Sequence, residues 1–354
     1  MSAELKAVVK RVGAETHIYE TSVALADKGF NVLLGPTGAG KTTLIKLLAG
    51  LEKATSGQIW IKGRDVTHVN TQRRNISLVH QFFVNYPNMS VYENIASPLR
   101  VAGLRRQDRD RRVREAAELL KLTPMLNRRP SELSGGQQQR TALARAIVKE
   151  ADLVLLDEPL ANLDYKLREE LRDELPKLFA GRGATVVYAT SEPTEALLLG
   201  GHTATMQDGR VTHFGPTAEI YRAPADLATA EVFSDPPINT APVTKTGTRM
   251  TLDGGVGWTV SGPIADVPDG TYTVGVRPHF ITPRANGEGL VRLSGKVLIT
   301  ELSGSDSVAH FRVGRHVWVS QSRGIYQYRV GEMHDFLMDA DRCLYFDAKG
   351  MLVG

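Results

Sequence analysis

The stretch Gly35-Pro36-Thr37-Gly38-Ala39-Gly40-Lys41-Thr42 decides the fold class. It fits the spacing G-x-x-x-x-G-K-[ST] of a phosphate-binding loop. Residues 30–34 before it are an aliphatic run that reads as a buried strand. After it, Leu44, Leu47, Leu48 and Leu51 recur on one side of an expected helix, with Gly50 near its end. Glycines let successive backbone N–H groups turn inward around phosphate oxygens, and the helix start adds its positive dipole end. In this arrangement Lys41 reaches the terminal phosphates and Thr42 offers a hydroxyl to Mg²⁺. Thr43 follows on the first helical turn.

Working outward, residues 153–156 form a second aliphatic run that leads directly into Asp157-Glu158-Pro159. Two acids at the end of a buried strand are costly unless they meet a cation or water. Asp157 suits a water-bridged Mg²⁺ contact, and Glu158 suits general-base work on an attacking water. The alternative is that both acids cap the next turn. Residues 184–189 supply a further strand of the same type. Such runs, covered on both faces, alternate with helical stretches up to about Ser234, which is the pattern of an α/β fold with a parallel sheet. Between residues 105 and 122 the chain is charged, with Val113, Ala116, Ala117 and Leu120 as its apolar stripe. Asp235-Pro236-Pro237 ends the pattern. Beyond it, Gly-, Val-, Thr- and Ser-rich segments at 272–276, 290–299, 308–313 and 316–320 read as antiparallel strands of a second, all-β domain.

Composition narrows the class. The chain has 354 residues, 42% hydrophobic and 23% charged, as in a two-domain globular protein. Its net charge of +4 is too small and too dispersed to imply nucleic acid by itself. Cys343 is the single cysteine, so an internal disulfide and cysteine-based zinc clusters are excluded. No window is apolar enough for a membrane span, and residues 1–11 lack a signal-type apolar core. The expectation is a soluble, cytoplasmic chain whose membrane role runs through a partner.

Leu133-Ser134-Gly135-Gly136-Gln137 is the stretch that suggests a family. Serine and bare N–H groups at a helix start make an anion site. With the phosphate loop, Gln81, Asp157-Glu158 and Ala161-Asn162-Leu163-Asp164, in this order, the chain resembles the ATP-binding-cassette ATPases. The resemblance implies a P-loop NTPase cassette, RecA-like with a helical subdomain at about 86–150, spanning residues 1–235. It implies ATP and Mg²⁺ as ligands, with Gln81 sensing Mg²⁺ and the γ-phosphate. It also implies that Ser134, Gly135, Gly136 and Gln137 act in trans on ATP held by a second subunit. The result is a head-to-tail dimer with two interfacial ATP sites and Asp164 in the dimer contact. Phe82, Phe83, Tyr86 and Tyr92 then either line a groove for a membrane subunit's cytoplasmic helix or pack in the core.

Two positions depart from the family pattern. Ser191 stands where a switch histidine is usual, and it can donate only one uncharged hydrogen bond to phosphate. It either serves the site or caps the helix starting near Pro193. His202 lies too far along to replace the histidine. Val12 stands where an aromatic usually stacks on adenine, with Tyr19 the nearest ring. An intact signature beside a replaced switch residue points to an asymmetric pair with a non-identical ATPase subunit; a homodimer is the rival.

The resemblance is closest to ATPases of bacterial carbohydrate importers of the maltose type. In those, residues equivalent to 240–354 form a small OB-like barrel that regulates transport and helps dimerise the ATPases. Gly275-Val276-Arg277-Pro278-His279 resembles a segment of that group, with His279 in place of a glutamate. Residues 91–99, 162–168 and 188–196 look like those of glycerol-importer ATPases, which use two non-identical ATPase subunits. The implied partners are that second ATPase, two transmembrane permeases and, indirectly, a solute-binding protein, with no nucleic acid. A soluble cassette ATPase acting on nucleic acid is the alternative, favoured only by arginines 105, 106, 109, 111, 112 and 114, which Asp108, Asp110 and Glu115 interrupt. A partner subunit that binds ATP but hydrolyses little is a third reading.

Overall fold

The computed structural model describes residues 3–161, 163–179, 183–284 and 289–353. The chain divides into two compact units, residues 1–218 and 219–354.

The first unit opens with β1 (Ala3–Val12) and β2 (Glu15–Leu25), an antiparallel hairpin, followed by β3 (Gly29–Leu34) and helix α1 (Lys41–Ala49). Then come β4 (Ser56–Ile61), β5 (Arg64–Asp65), β6 (Ile76–Val79) and three helices, α2 (Val91–Val101), α3 (Arg106–Leu119) and α4 (Gly135–Ile147). The unit continues through β7 (Leu153–Asp157), α5 (Tyr165–Phe179), β8 (Thr185–Thr190), α6 (Pro193–Leu199), β9 (His202–Gln207) and β10 (Arg210–Pro216). One sheet runs β10-β9-β3-β8-β7-β6, parallel throughout except for the β10 edge. The other is antiparallel, β2-β1-β4-β5.

The expected strands at 30–34, 153–156 and 184–189 are all present, and every residue of β7 and β8 is buried. Helix α1 packs on β2, β7 and β8, and its Leu44, Ile45, Leu47 and Leu48 join one core with both sheets. Leu51 is a correction. Gly50 takes a left-handed φ of 73° and ends the helix one residue earlier, so Leu51 is 53% exposed and Ile45 takes the buried place. Arg74 completes that end: its buried guanidinium donates to the Leu47 and Leu48 carbonyls at 2.9 and 2.7 Å. The stripe Val113, Ala116, Ala117 and Leu120 is buried as its spacing predicts.

The second unit carries two five-stranded antiparallel sheets around one barrel-like core that includes Phe311, Trp318 and Phe336. The four segments read from the sequence appear as Gly270–Val276, Leu290–Ser303, Asp306–Val313 and His316–Arg323. The Asn239 side chain joins the two sheets by bonding both the N–H and the carbonyl of Val319. Cys343 is buried and unbridged. Among the described residues no helix is long and apolar enough to cross a membrane.

Candidate active site

Parallel strands β3, β8, β7 and β6 are neighbours, and each ends in one of the motifs: Gly35, Ser191, Asp157-Glu158 and Gln81. Carboxyl ends of parallel strands are where open α/β sheets build their sites. Gly35 is required by packing, because a β-carbon there would lie 2.2 Å from the Met206 carbonyl oxygen. Gly40 has a φ of 99°, and a side chain would strike Ile18 of β2. Ala39 is buried, while Pro36, Thr37 and Gly38 form the exposed lip of the loop. The Gly35 N–H donates to the Thr190 carbonyl at 3.3 Å, which ties the loop to the strand that carries Ser191.

Lys41 opens α1 and is only 4% exposed. Its Nζ donates to the Gly35 and Pro36 carbonyls at 2.8 and 3.0 Å and lies 3.4 Å from Glu158 Oε1. Burial pushes its pKa down, and the Glu158 and Asp157 carboxylates oppose that shift. Glu158 Oε2 accepts from Gln81 Nε2 at 3.1 Å. One carboxylate therefore joins the loop lysine after β3 to the glutamine after β6, three strands away. Glu158 has a φ of 45°, and its N–H donates to the Ala189 carbonyl. Such backbone strain in a non-glycine residue is typical of functional sites. The turn-capping alternative for the two acids gives way to these contacts.

Thr42 Oγ1 donates to Asp157 Oδ1 at 2.9 Å. Asp157 is 1% exposed, and its Oδ2 is buried without a hydrogen-bond partner among the described residues. Burial raises its pKa. An orphan carboxylate oxygen beside a threonine hydroxyl fits Mg²⁺, a hard cation that takes oxygen ligands and keeps several waters. Thr43 is half-buried on the same turn.

Ser191 is exposed and follows Thr190, the last residue of β8. It does not cap α6; Glu192 holds the cap position and Pro193 the first helical turn. His202 pairs with Asn31 near the start of β3, the edge opposite the loop. Val12 sits at the β1–β2 turn and is 49% exposed. One face of the Tyr19 ring is covered by the Arg210 guanidinium, 3.8 Å away.

Ser134 and Gly135 are exposed at the start of α4. The Ser134 hydroxyl accepts from the Gln137 N–H, and Gln137 Oε1 accepts from the Ser134 N–H, a reciprocal capping box. A β-carbon on Gly135 would meet nothing within 4 Å among the described residues, so packing among them does not require that glycine. Asp164 is exposed and its carbonyl starts α5; Asn162 lies outside the described residues. Of the aromatics, Phe82 and Tyr86 are exposed at 78% and 48%, and Phe83 and Tyr92 are half-buried. Core packing therefore fails for the first two. A groove of about 200 Å³ lies here, lined among others by Tyr86, Pro98, Val101 and Arg145.

The sequence reading missed a buried network beneath Ser191. Glu195 Oε2 accepts from Tyr188 Oη at 3.0 Å and Thr190 Oγ1 at 2.5 Å, with Glu195 itself 3% exposed. Burial raises the Glu195 pKa, so the folded chain binds that proton more tightly than the unfolded chain. This stabilisation is full below the ordinary carboxylate pKa and is lost as pH rises through the raised value. Glu195→Gln keeps an acceptor for both hydroxyls. Its melting temperature should therefore fall less than the parent's as pH rises above the ordinary carboxylate range. Equal slopes would contradict the assignment.

Residues 20–161 match the family model for the ABC transporter. The sn-glycerol-3-phosphate import ATP-binding protein of Shigella boydii serotype 4 is 40% identical over 314 residues, 88% of each chain. The chain belongs to the ABC transporter ATPases. The ATPase is also 40% identical over 363 residues to the trehalose/maltose import ATP-binding protein of Thermococcus litoralis, covering 96% of both chains. A dimeric ATP-binding cassette solved in a post-hydrolysis state with ADP and phosphate superposes with a TM-score of 0.56 at 29% identity. It covers 61% of the ATPase and 98% of that cassette.

Proposed function

We propose that this ATPase energises a bacterial solute importer as one half of a head-to-tail pair that encloses two ATP molecules. The observation that carries the reading is the joining of Lys41, Glu158 and Gln81 through one carboxylate, beside the Thr42–Asp157 pair. Lys41 and the loop N–H groups bind the triphosphate. Thr42, Asp157 and Gln81 are the residues that would hold Mg²⁺, which would neutralise phosphate charge when bound. Glu158 accepts the proton of the attacking water, and Gln81 fixes that carboxylate's direction. Ser191 donates one neutral hydrogen bond toward the γ-phosphate.

The exposed Ser134 turn supports a role in trans: the capping box engages the Ser134 and Gln137 N–H groups and leaves those of Gly135 and Gly136 in the first turn to meet another subunit's phosphate. Asp164, exposed at the start of α5, is assigned to the same contact. The groove beside Tyr86 and Val101, lined also by Arg145 and Lys149, is assigned to a cytoplasmic helix of one permease, the second ATPase of the pair taking the other, and a solute-binding protein delivers cargo to the two permeases. On this reading the ATPase works at the cytoplasmic face of the membrane. The solute is a carbohydrate or polyol, with glycerol the first candidate from the sequence resemblance. Of the relatives' names, trehalose/maltose falls in that class, while sn-glycerol-3-phosphate is the phosphate ester of a polyol.

Ser191 favours an asymmetric pair with a second, non-identical ATPase. Ser191→His should raise ATP turnover at this chain's own site by about tenfold, since an imidazole holds charge and water that a hydroxyl cannot. Steady-state hydrolysis by the transporter in lipid vesicles measures this. Unchanged turnover would mean the site is limited elsewhere. A fully active homodimer of the unsubstituted chain would remove the asymmetric pair.

A further inference from the structure

Arg168 lies on α5, four residues after Asp164, and joins two parts of the site that the motifs treat separately. Its Nη1 donates to Glu192 Oε1 at 2.5 Å, and its Nη2 donates to the Ala161 carbonyl at 3.3 Å. Ala161 belongs to the turn that leads from Glu158 to Asp164. Glu192 is the residue after Ser191.

From the geometry we propose that Arg168 is a positioning residue: its guanidinium locks the Asp164 turn to the Ser191 segment, so that contact on one moves the other. This rests on the reading of Asp164 as a dimer contact and of Ser191 as facing phosphate.

The rest of the Ser191 segment is fastened from its other side. The Glu192 N–H donates to Thr190 Oγ1, which donates to the buried Glu195 carboxyl. The Thr190 carbonyl holds the Gly35 N–H of the phosphate loop. The strand end is thus anchored to the loop and to the core beneath, and Arg168 ties it to the Asp164 turn. The guanidinium is planar, and its two amino groups point along fixed directions, so it transmits direction as well as attraction. The Arg168 side chain is 24% exposed and Glu192 is 42%, so water screens the pair only in part. A lysine carries the charge as a single point and cannot hold both acceptors along the same two directions.

The test uses the full-length ATPase assembled with its membrane subunits. ATP affinity, kcat, the Hill coefficient for ATP and the melting temperature are measured for the parent, Arg168→Lys, Arg168→Ala and Glu192→Gln. Arg168→Ala and Glu192→Gln should each lower kcat about tenfold and bring the Hill coefficient toward one, with ATP affinity unchanged. Arg168→Lys, the substitution least disruptive to folding, should do the same to a smaller degree. Parent values of kcat and Hill coefficient in Arg168→Lys and Glu192→Gln would overturn the proposal. So would losses of kcat that only follow a fall in melting temperature. Failure of the parent to bind ATP would instead overturn the functional reading on which the proposal rests.

Discussion

Replacing Lys41 with alanine should weaken ATP binding by at least about a hundredfold, because two or more charge-assisted hydrogen bonds to phosphate are lost. The lysine is the one cation inside the loop's grip among the described residues, held 4% exposed by the Gly35 and Pro36 carbonyls. Burial has lowered its pKa, so much of its hydration is already given up before phosphate arrives. A desolvated cation interacts more strongly with an anion than a hydrated one does. Lys41→Ala also leaves Glu158 Oε1 without its cation. Calorimetric titration of ATP checks the affinity, and far-ultraviolet circular dichroism checks that the fold persists. Parent affinity in a folded Lys41→Ala chain would count against the whole site.

The second large effect is at the signature turn. Ser134→Arg should abolish solute import while leaving ATP affinity of the isolated chain within about twofold of the parent. Within one chain the cost is limited to the capping box, about 1 kcal/mol, because Ser134 is exposed. Across a head-to-tail interface the cost is far larger. The arginine side chain would fill the space where bare N–H groups approach phosphate, and it would remove the serine hydroxyl from that contact. Import into vesicles and ATP titration are measured on the same preparation. Import at the parent rate would refute the action in trans. Lost ATP affinity in the isolated chain would mean the turn serves its own nucleotide instead.

The parts of the site that could be read from the sequence are those fixed by backbone geometry. A loop that must bring N–H groups close to phosphate leaves little choice at Gly35 and Gly40. Buried strands must end where acids can find partners, so Asp157 and Glu158 announced themselves. The other parts depend on tertiary neighbours. Arg168 meets Glu192 across 24 positions, and Arg74 closes the end of α1 from 26 and 27 positions away. No local periodicity encodes such pairs. Glu195 belongs to no motif in the sequence, yet tertiary packing buries its carboxyl against Tyr188 and Thr190. Leu51 failed for a related reason: the 3.6-residue spacing continued through Gly50, but the left-handed glycine ended the helix first. In the second unit the strands followed from alternation and glycine turns. Their arrangement into two sheets did not, because pairing such as Asn239 with Val319 spans 80 positions.

The central claim is that ATP is enclosed between the Lys41 loop of one molecule and the Ser134 turn of another. Sedimentation velocity in ATP and Mg²⁺, on the chain alone and mixed with a second cassette subunit of its transporter, tests this most directly. The account expects a two-cassette species that needs nucleotide and disappears in Ser134→Arg. A chain that binds ATP yet sediments as a single cassette in both mixtures would contradict it.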